Sequence, residues 1–188
     1  MPPGPRPSEP AASPATTAAA APATAARADR ARVRPATPAD LPRIAELAAE
    51  HAAFEQAAPP APDLAERLSA LLCRPSGDAP DGGRPRVRLL VAESPSGEVV
   101  GYASCAPEFS TWEGRDYLHL DCLYLCADHR GRGVGELLMR EVAAEARRLG
   151  LRQVQWQTPE WNEGAIRFYD RIGATGRPKL RYTLPVPG

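Results

Sequence analysis

Three groups of residues in this chain have the types and spacing to do chemistry. The first is Arg130-Gly131-Arg132-Gly133-Val134-Gly135, which follows an apolar run over 118–126. Behind it, Val134, Leu137, Leu138, Val142, Ala146 and Leu149 recur at helical spacing, with Gly150 placed as a C′ glycine. Glycine lets the backbone take positive φ and approach a ligand with no Cβ in the way. The first N–H groups of a helix have no intrahelical partner, and the helix dipole adds about half a positive charge there. Phosphate is the usual guest of such a turn. The second group is Asp121 with His119, two residues apart on one face of a strand. A carboxylate inside an apolar run is costly unless it has partners or work. The third is Tyr169, on a helix face shared with Ala165, Ile166 and Ile172, where the pattern alone makes it a core tyrosine. Glu55, at the end of an earlier helix, opposes the helix dipole and so is not there for helix stability.

The phosphate ligand is narrowed by what the turn lacks. GxxxxGK[ST] is absent, and GxGxxG fails because, counting from Gly131, its third glycine position holds Glu136. Neither a P-loop nor a dinucleotide fingerprint is present.

The elements that must position these groups follow from periodicity and punctuation. Residues 1–30 are dominated by Ala, Pro, Ser and Thr and read as a disordered tail, with 31–188 as one folded domain. A transit peptide is the second reading of that tail. Arg32, Val33 and Arg34 form a short strand. Thr37-Pro38-Ala39-Asp40 reads as a helix start with a Thr cap and Pro at N1. Leu41, Ile44, Leu47, Ala48, His51 and Phe54 share one face of that helix. A second helix spans about 63–73, and a Gly- and Asp-containing loop spans 75–85. Strands are expected at 87–93 and 99–107, joined by Pro95-Ser96-Gly97. A loop over 109–116 leads into the central strand. A strand at 153–157, a helix from Asn162 to Ile172 and a closing strand at 180–184 complete the order β-α-α-β-β-β-α-β-α-β. This is an α/β (α+β) mixed sheet with helices on both faces.

The 23 basic and 23 acidic residues cancel, which gives no reason to expect a nucleic-acid or membrane surface. No apolar run approaches the ~20 residues of a membrane span. Cys73, Cys105, Cys122 and Cys126 show neither CxxC nor metal-type spacing, and Cys122 and Cys126 are too far apart on one strand for a disulfide. They read as reduced thiols of a cytoplasmic protein without a metal.

The turn, with its strand before and helix after, resembles the pyrophosphate loop of the GNAT superfamily of acetyl-CoA-dependent N-acetyltransferases. The opening segment from Val33 to Asp40, EHAAFE at Glu50 to Glu55, and WNEGAIRFY at Trp161 to Tyr169 extend the likeness to about 32–184. The last two resemble the diamine and thialysine acetyltransferase subgroup. That resemblance implies acetyl-CoA as co-substrate, bound by backbone N–H groups from Gly131 through Arg132, Gly133, Val134 and Gly135 to Glu136, with Arg130 opening the motif. It implies that Leu123, Tyr124 and Leu125 meet the pantetheine arm as an added strand would, a mode suited to amides. Asn162 and Ala165 complete the cofactor side.

The resemblance also changes the reading of Tyr169, which becomes the general acid to the leaving thiolate. Phenol and thiol pKa values, about 10 and about 8.5, suit that transfer. Asp121 becomes a general base, directly or through water, with His119 as the substitute and a sheet-stabilising Asp–His pair as the plain alternative. Glu55, Trp112 and Asp121 face a small-molecule cationic amine. Related enzymes carry glutamate at Asp121 and a further acid at Cys122, so a polyamine should bind more weakly here. A homodimer is the subgroup's expectation. The reading is acetyl transfer to a primary amine, polyamine- or lysine-like, by direct attack. Its alternatives are a non-catalytic acetyl-CoA-binding regulatory module, and transfer to a protein N-terminus or an antibiotic amine.

Overall fold

A computed structural model describes residues 31–72 and 87–186 of the 188. The expected tail (1–30), the loop over 75–85 and Cys73 lie outside the described residues. The elements are β1 (Arg32–Pro35), α1 (Leu41–Phe54), α2 (Leu64–Leu72), β2 (Arg88–Glu93), β3 (Val99–Ser110), β4 (Arg115–Leu125), α3 (Val134–Arg148), β5 (Val154–Gln155) and α4 (Glu163–Arg171). They build one sheet in the order β1-β2-β3-β4-β5, antiparallel through β4 and parallel between β4 and β5.

Alternation along the strands loads both faces. Leu90, Ala92, Val100, Ala103, Leu118 and Leu120 meet Val134, Leu138 and Val142 of α3 on one side. Leu89, Val91, Tyr102 and Tyr124 meet Leu41, Ile44 and Leu47 of α1 on the other. The helix entry is a short 3-10 turn, Pro38–Asp40, ahead of α1. There the Asp40 carboxylate accepts from Thr37 N (2.7 Å) and Thr37 Oγ1 (2.8 Å), and from both terminal nitrogens of Arg34 (2.8 and 2.9 Å). The buried Glu93 ties Arg34 and Arg32 at 2.6 and 2.7 Å. Cap and ion pairs thus fasten α1 to the β1–β2 edge.

Two expectations are corrected. Residues 109–116 are not a loop: β3 and β4 continue as a hairpin to Ser110↔Arg115, turning at Thr111 to Gly114, where Gly114 takes φ 61°. Its pairing is held by cross-strand contacts that no local pattern announces, Tyr117 on Glu108 among them. The closing strand at 180–184 does not form. Leu180, Tyr182 and Leu184 are at least 80% exposed in an irregular segment. Pro178 and Pro185 withhold N–H donors there, and β5 is only two residues long, shorter than the strand expected over 153–157.

The register of β3 on β4 slips once. Ser104 faces Cys122 and Cys105 faces Leu120, so Asp121 is a bulge residue with nothing opposite it. A bulge shifts the alternation by one. Leu118 and Leu120 before it, and Leu123 and Leu125 after it, therefore all face α3, while Cys122 and Tyr124 face α1.

Candidate active site

The glycine-rich turn is built as an anion cradle. After a 3-10 turn at Ala127–His129, Gly131 and Gly133 take φ of 71° and 80°, and Gly133 caps α3. The first intrahelical bond runs from Leu137 N to Gly133 O (3.1 Å). Among the described residues the backbone N–H groups from Gly131 to Glu136 make no backbone hydrogen bond. Val134 turns its side chain into the core, so only its backbone faces a ligand. A Cβ on Gly135 would sit 3.4 Å from the Phe168 ring, so this glycine lets α3 and α4 approach. Arg130 is engaged elsewhere: its Nε donates to Leu125 O (2.9 Å), and its guanidinium lies over Phe54 (4.5 Å) and Tyr124 (5.3 Å).

Beside the cradle, β4 has an open edge. β5 pairs with it only at Leu118 and His119. Farther on, Leu123, Tyr124 and Leu125 pair with Ala103, Tyr102 and Gly101 on one side, and no strand among the described residues takes the other. Asn162 Oδ1 accepts from Ala165 N (3.1 Å) and caps α4. An extended chain of amides fits such an edge, and a pyrophosphate fits the cradle at its end.

The ionisable groups collect where α1 ends against the bulge. Glu55 C-caps α1, and its carboxylate lies 3.3 Å from His51 Nε2. His51 stacks on Tyr124 (5.2 Å) and reaches the Tyr102 hydroxyl through Nδ1 (3.4 Å). The Tyr102 and Ser104 hydroxyls lie beside the Cys122 sulfur, and Cys122 Sγ donates to Asp121 Oδ2 (3.6 Å). Burial, then the charge of Asp121, pushes the Cys122 thiol up. It therefore stays protonated and is a poor nucleophile.

Tyr169 stands between Trp156 and Phe168, at ring distances of 5.0 and 5.2 Å. Burial, with the charge of Glu55 adding, pushes its hydroxyl up to about 12. It is a protonated phenol throughout the neutral range, and no described residue hydrogen-bonds its oxygen.

The charge of Glu55 links Tyr169 to the group around Tyr102. Glu55 acts on both Tyr102 and Tyr169, and Asp121 acts on Tyr102. Trp112 is not brought to it. It is 95% exposed at the tip of the β3–β4 hairpin, about 20 Å along β4 from Asp121 at ~3.3 Å per residue.

The structure adds residues that sequence reasoning left out. In the sequence His51 reads only as part of the packed face of α1, though its i,i+4 spacing to Glu55 is a usable signal. Tyr102 gave no signal. Glu108 fell just beyond the expected strand, and it binds the Tyr117 hydroxyl (2.6 Å) and His119 Nδ1 (2.7 Å). His119, Asp121, Glu108, Ser104, Val87 and Arg181 line a cleft of about 270 Å³.

Among the described residues no helix is long and apolar enough to cross a membrane. No cluster of three or more His, Cys, Asp or Glu among them could hold a metal.

Known proteins share this architecture. The model of the family described as "Acetyltransferase (GNAT) family" matches residues 48–174. A thialysine N-epsilon-acetyltransferase of Mus musculus is 30% identical over 150 residues, covering 76% of this chain and 83% of its own. The Bos taurus protein of the same name is 35% identical over 100 residues, 50% of this chain and 58% of its own. An L-ornithine N5-acetyltransferase of Arabidopsis thaliana is 30% identical over 76 residues, 40% of this chain and 33% of its own. Against the latter two, the match spans less than two thirds of the relative's length. A crystal structure described as a probable acetyltransferase superposes with a TM-score of 0.66 at 21% identity, covering 84% of this chain and 99% of that one.

Proposed function

The chain belongs to the acetyltransferase (GNAT) family, and from that premise we propose that it moves acetyl from acetyl-CoA to the primary amine of a small cationic substrate. The substrate class is lysine-like or polyamine-like, and the amine attacks the thioester directly. The observation that carries this reading is the strand edge of β4 at Leu123 to Leu125, open among the described residues, running into a glycine turn whose N–H groups from Gly131 to Glu136 have no backbone partner among them.

Acetyl-CoA supplies the activated acetyl group, and the chain supplies everything else. The N–H groups of Gly131, Arg132, Gly133, Val134, Gly135 and Glu136 hold the pyrophosphate. The edge at Leu123, Tyr124 and Leu125 aligns the pantetheine arm, and Asn162 and Ala165 complete the cofactor side. Glu55 and Asp121 attract the ammonium group, and the buried phenol of Tyr169 gives its proton to the departing sulfur. Relatives named for thialysine and L-ornithine act on a primary amine at the end of a short chain, which suits two carboxylates better than an extended polycation. With Cys122 where a further acid would serve a polyamine, the lysine-like class is favoured.

Three free thiols among the described residues, Cys105, Cys122 and Cys126, suit a reducing, cytoplasmic setting. The folded unit is 31–188, and a homodimer is the expected assembly. Light scattering tests the assembly, and limited proteolysis tests the boundary. The main test is acetyl-CoA consumption against diamines, spermidine, thialysine, lysine, ornithine, an aminoglycoside and a short peptide. Turnover of a lysine-like amine supports the reading. Tight acetyl-CoA binding with no turnover of any amine would replace it with a regulatory module.

A further inference from the structure

On β3 and β4, Glu108 stands opposite Tyr117, and His119 is the next residue on that face. Glu108 Oε2 accepts from the Tyr117 hydroxyl at 2.6 Å, and Oε1 lies 2.7 Å from His119 Nδ1. The Tyr117 hydrogen bond, with His119 and the charge of Arg181, holds the Glu108 carboxyl below its usual range. At neutral pH it is therefore an anion, and an ionised carboxylate can only accept. The proton in the Glu108–His119 bond must then be on Nδ1, which leaves the lone pair of neutral imidazole on Nε2. No described residue hydrogen-bonds Nε2. The His119 side chain is 19% exposed and lines the same cleft as Asp121. A pair that only braced the hairpin would not need to open onto that cleft.

Resting on the acetyltransferase reading above, we propose that His119 Nε2 takes the proton from the substrate ammonium and that Glu108 positions it, while Asp121 remains the anion that holds the ammonium in place. Chemistry favours this division. An alkylammonium ordinarily titrates near 10, a carboxyl near 4 and an imidazole near 6.5, so transfer to imidazole crosses the smaller gap. Asp121 already accepts a hydrogen bond from the Cys122 thiol. Arg181 faces the same cleft, and its charge acts on Glu108.

The step balances. An ammonium N–H bond breaks as Nε2–H forms, and the freed nitrogen lone pair attacks the thioester carbonyl carbon. The C–S bond breaks as the carbonyl re-forms. The sulfur leaves as a thiol with the Tyr169 proton, and Tyr169 regains one from the nitrogen that becomes the amide. The imidazolium returns its proton to water, so one proton is released for each acetyl group moved.

The test is kinetic, on the full chain, with the best amine of the panel. His119→Gln should lower kcat about 100-fold with Tm held, the scale of a lost general base. Glu108→Gln should cost about 10-fold, with Glu108→Asp recovering part of it. The double Gln variant should be no slower than His119→Gln alone, because Glu108 acts only through the imidazole. Wild-type turnover with His119→Gln within threefold overturns this inference and leaves the acetyltransferase reading standing. Effects that multiply in the double variant overturn the positioning role of Glu108. No turnover by the wild type overturns both readings. If a variant fails to fold, imidazole ¹⁵N spectra of the wild type decide. Neutral His119 protonated at Nδ1 is expected, and protonation at Nε2 overturns the proposal.

Discussion

The roles proposed for Tyr169 and Glu55 rest on the surroundings of each side chain. Burial takes the Tyr169 phenol up to about 12, and Glu55 adds to the shift. An acid must be protonated to work, so a raised pKa carries its activity to higher pH. The basic limb of kcat is expected above the ordinary phenol range of about 10. Glu55→Gln removes one of the two upward pushes, so that limb should move to lower pH, and the KM for the amine should rise by about tenfold as a carboxylate partner is lost. A pH–rate profile of the two proteins checks both. Tyr169→Phe keeps the ring between Trp156 and Phe168 and removes only the hydroxyl. It should lower kcat by about 100-fold with little change in Tm. An unchanged kcat would remove Tyr169 from the chemistry. None of these roles is visible in residue type alone, since a tyrosine on the packed face of a helix reads as core until the acid at the end of α1 is brought near it.

At the scale of elements, the start of α1 and the start of α3 do different work. The Asp40 carboxylate is held well below its usual range, first by Arg34 and then by Thr37. A depressed carboxylate contributes stability that is complete above its unfolded pKa of about 3.9 and is lost as pH falls through the folded value. Tm should therefore drop as pH is taken below about 4, and Asp40→Asn should flatten that drop. At neutral pH, Asp40→Ala leaves Arg34 without one partner and the helix entry without its cap, and should cost about 2–4 kcal/mol in urea unfolding. At α3 the conformation serves the proposed ligand. Gly133 caps it at φ 80° with open space around, so Gly133→Ala meets strain and no clash. About 1 kcal/mol of stability should go, together with a larger loss of acetyl-CoA affinity as the cradle N–H groups shift. Calorimetry on the same variant separates the two.

The whole molecule rests on two thin apolar layers, one on each face of the sheet. Leu138 of α3 is fully buried in the larger one, and Leu138→Ala should lose about 3 kcal/mol by chemical denaturation. Because the β4 edge and the cradle N–H groups have no backbone partner among the described residues, the fold should gain from a ligand that pairs them. Acetyl-CoA at a hundred times its Kd should raise stability by about 2.7 kcal/mol, read as a rise in Tm.

What the sequence by itself determined was whatever local pattern encodes: the helix entry over Thr37 to Asp40, the cap at Asn162, the glycine turn ahead of α3, the apolar faces of α1 and α3, and with these the family. The mixed sheet with a helix layer on each face also follows from them, because such faces can be buried in few ways. Tertiary structure alone decided the rest. The bulge that frees Asp121, the reach of the β3–β4 hairpin through residues 109–116, the failure of 180–184 to pair, and the closing of Glu108 on His119 all depend on strand partners distant in sequence. Register and cross-strand contact are relations between segments, fixed only when the sheet assembles, and a strand read in isolation carries no record of which residue will lie opposite.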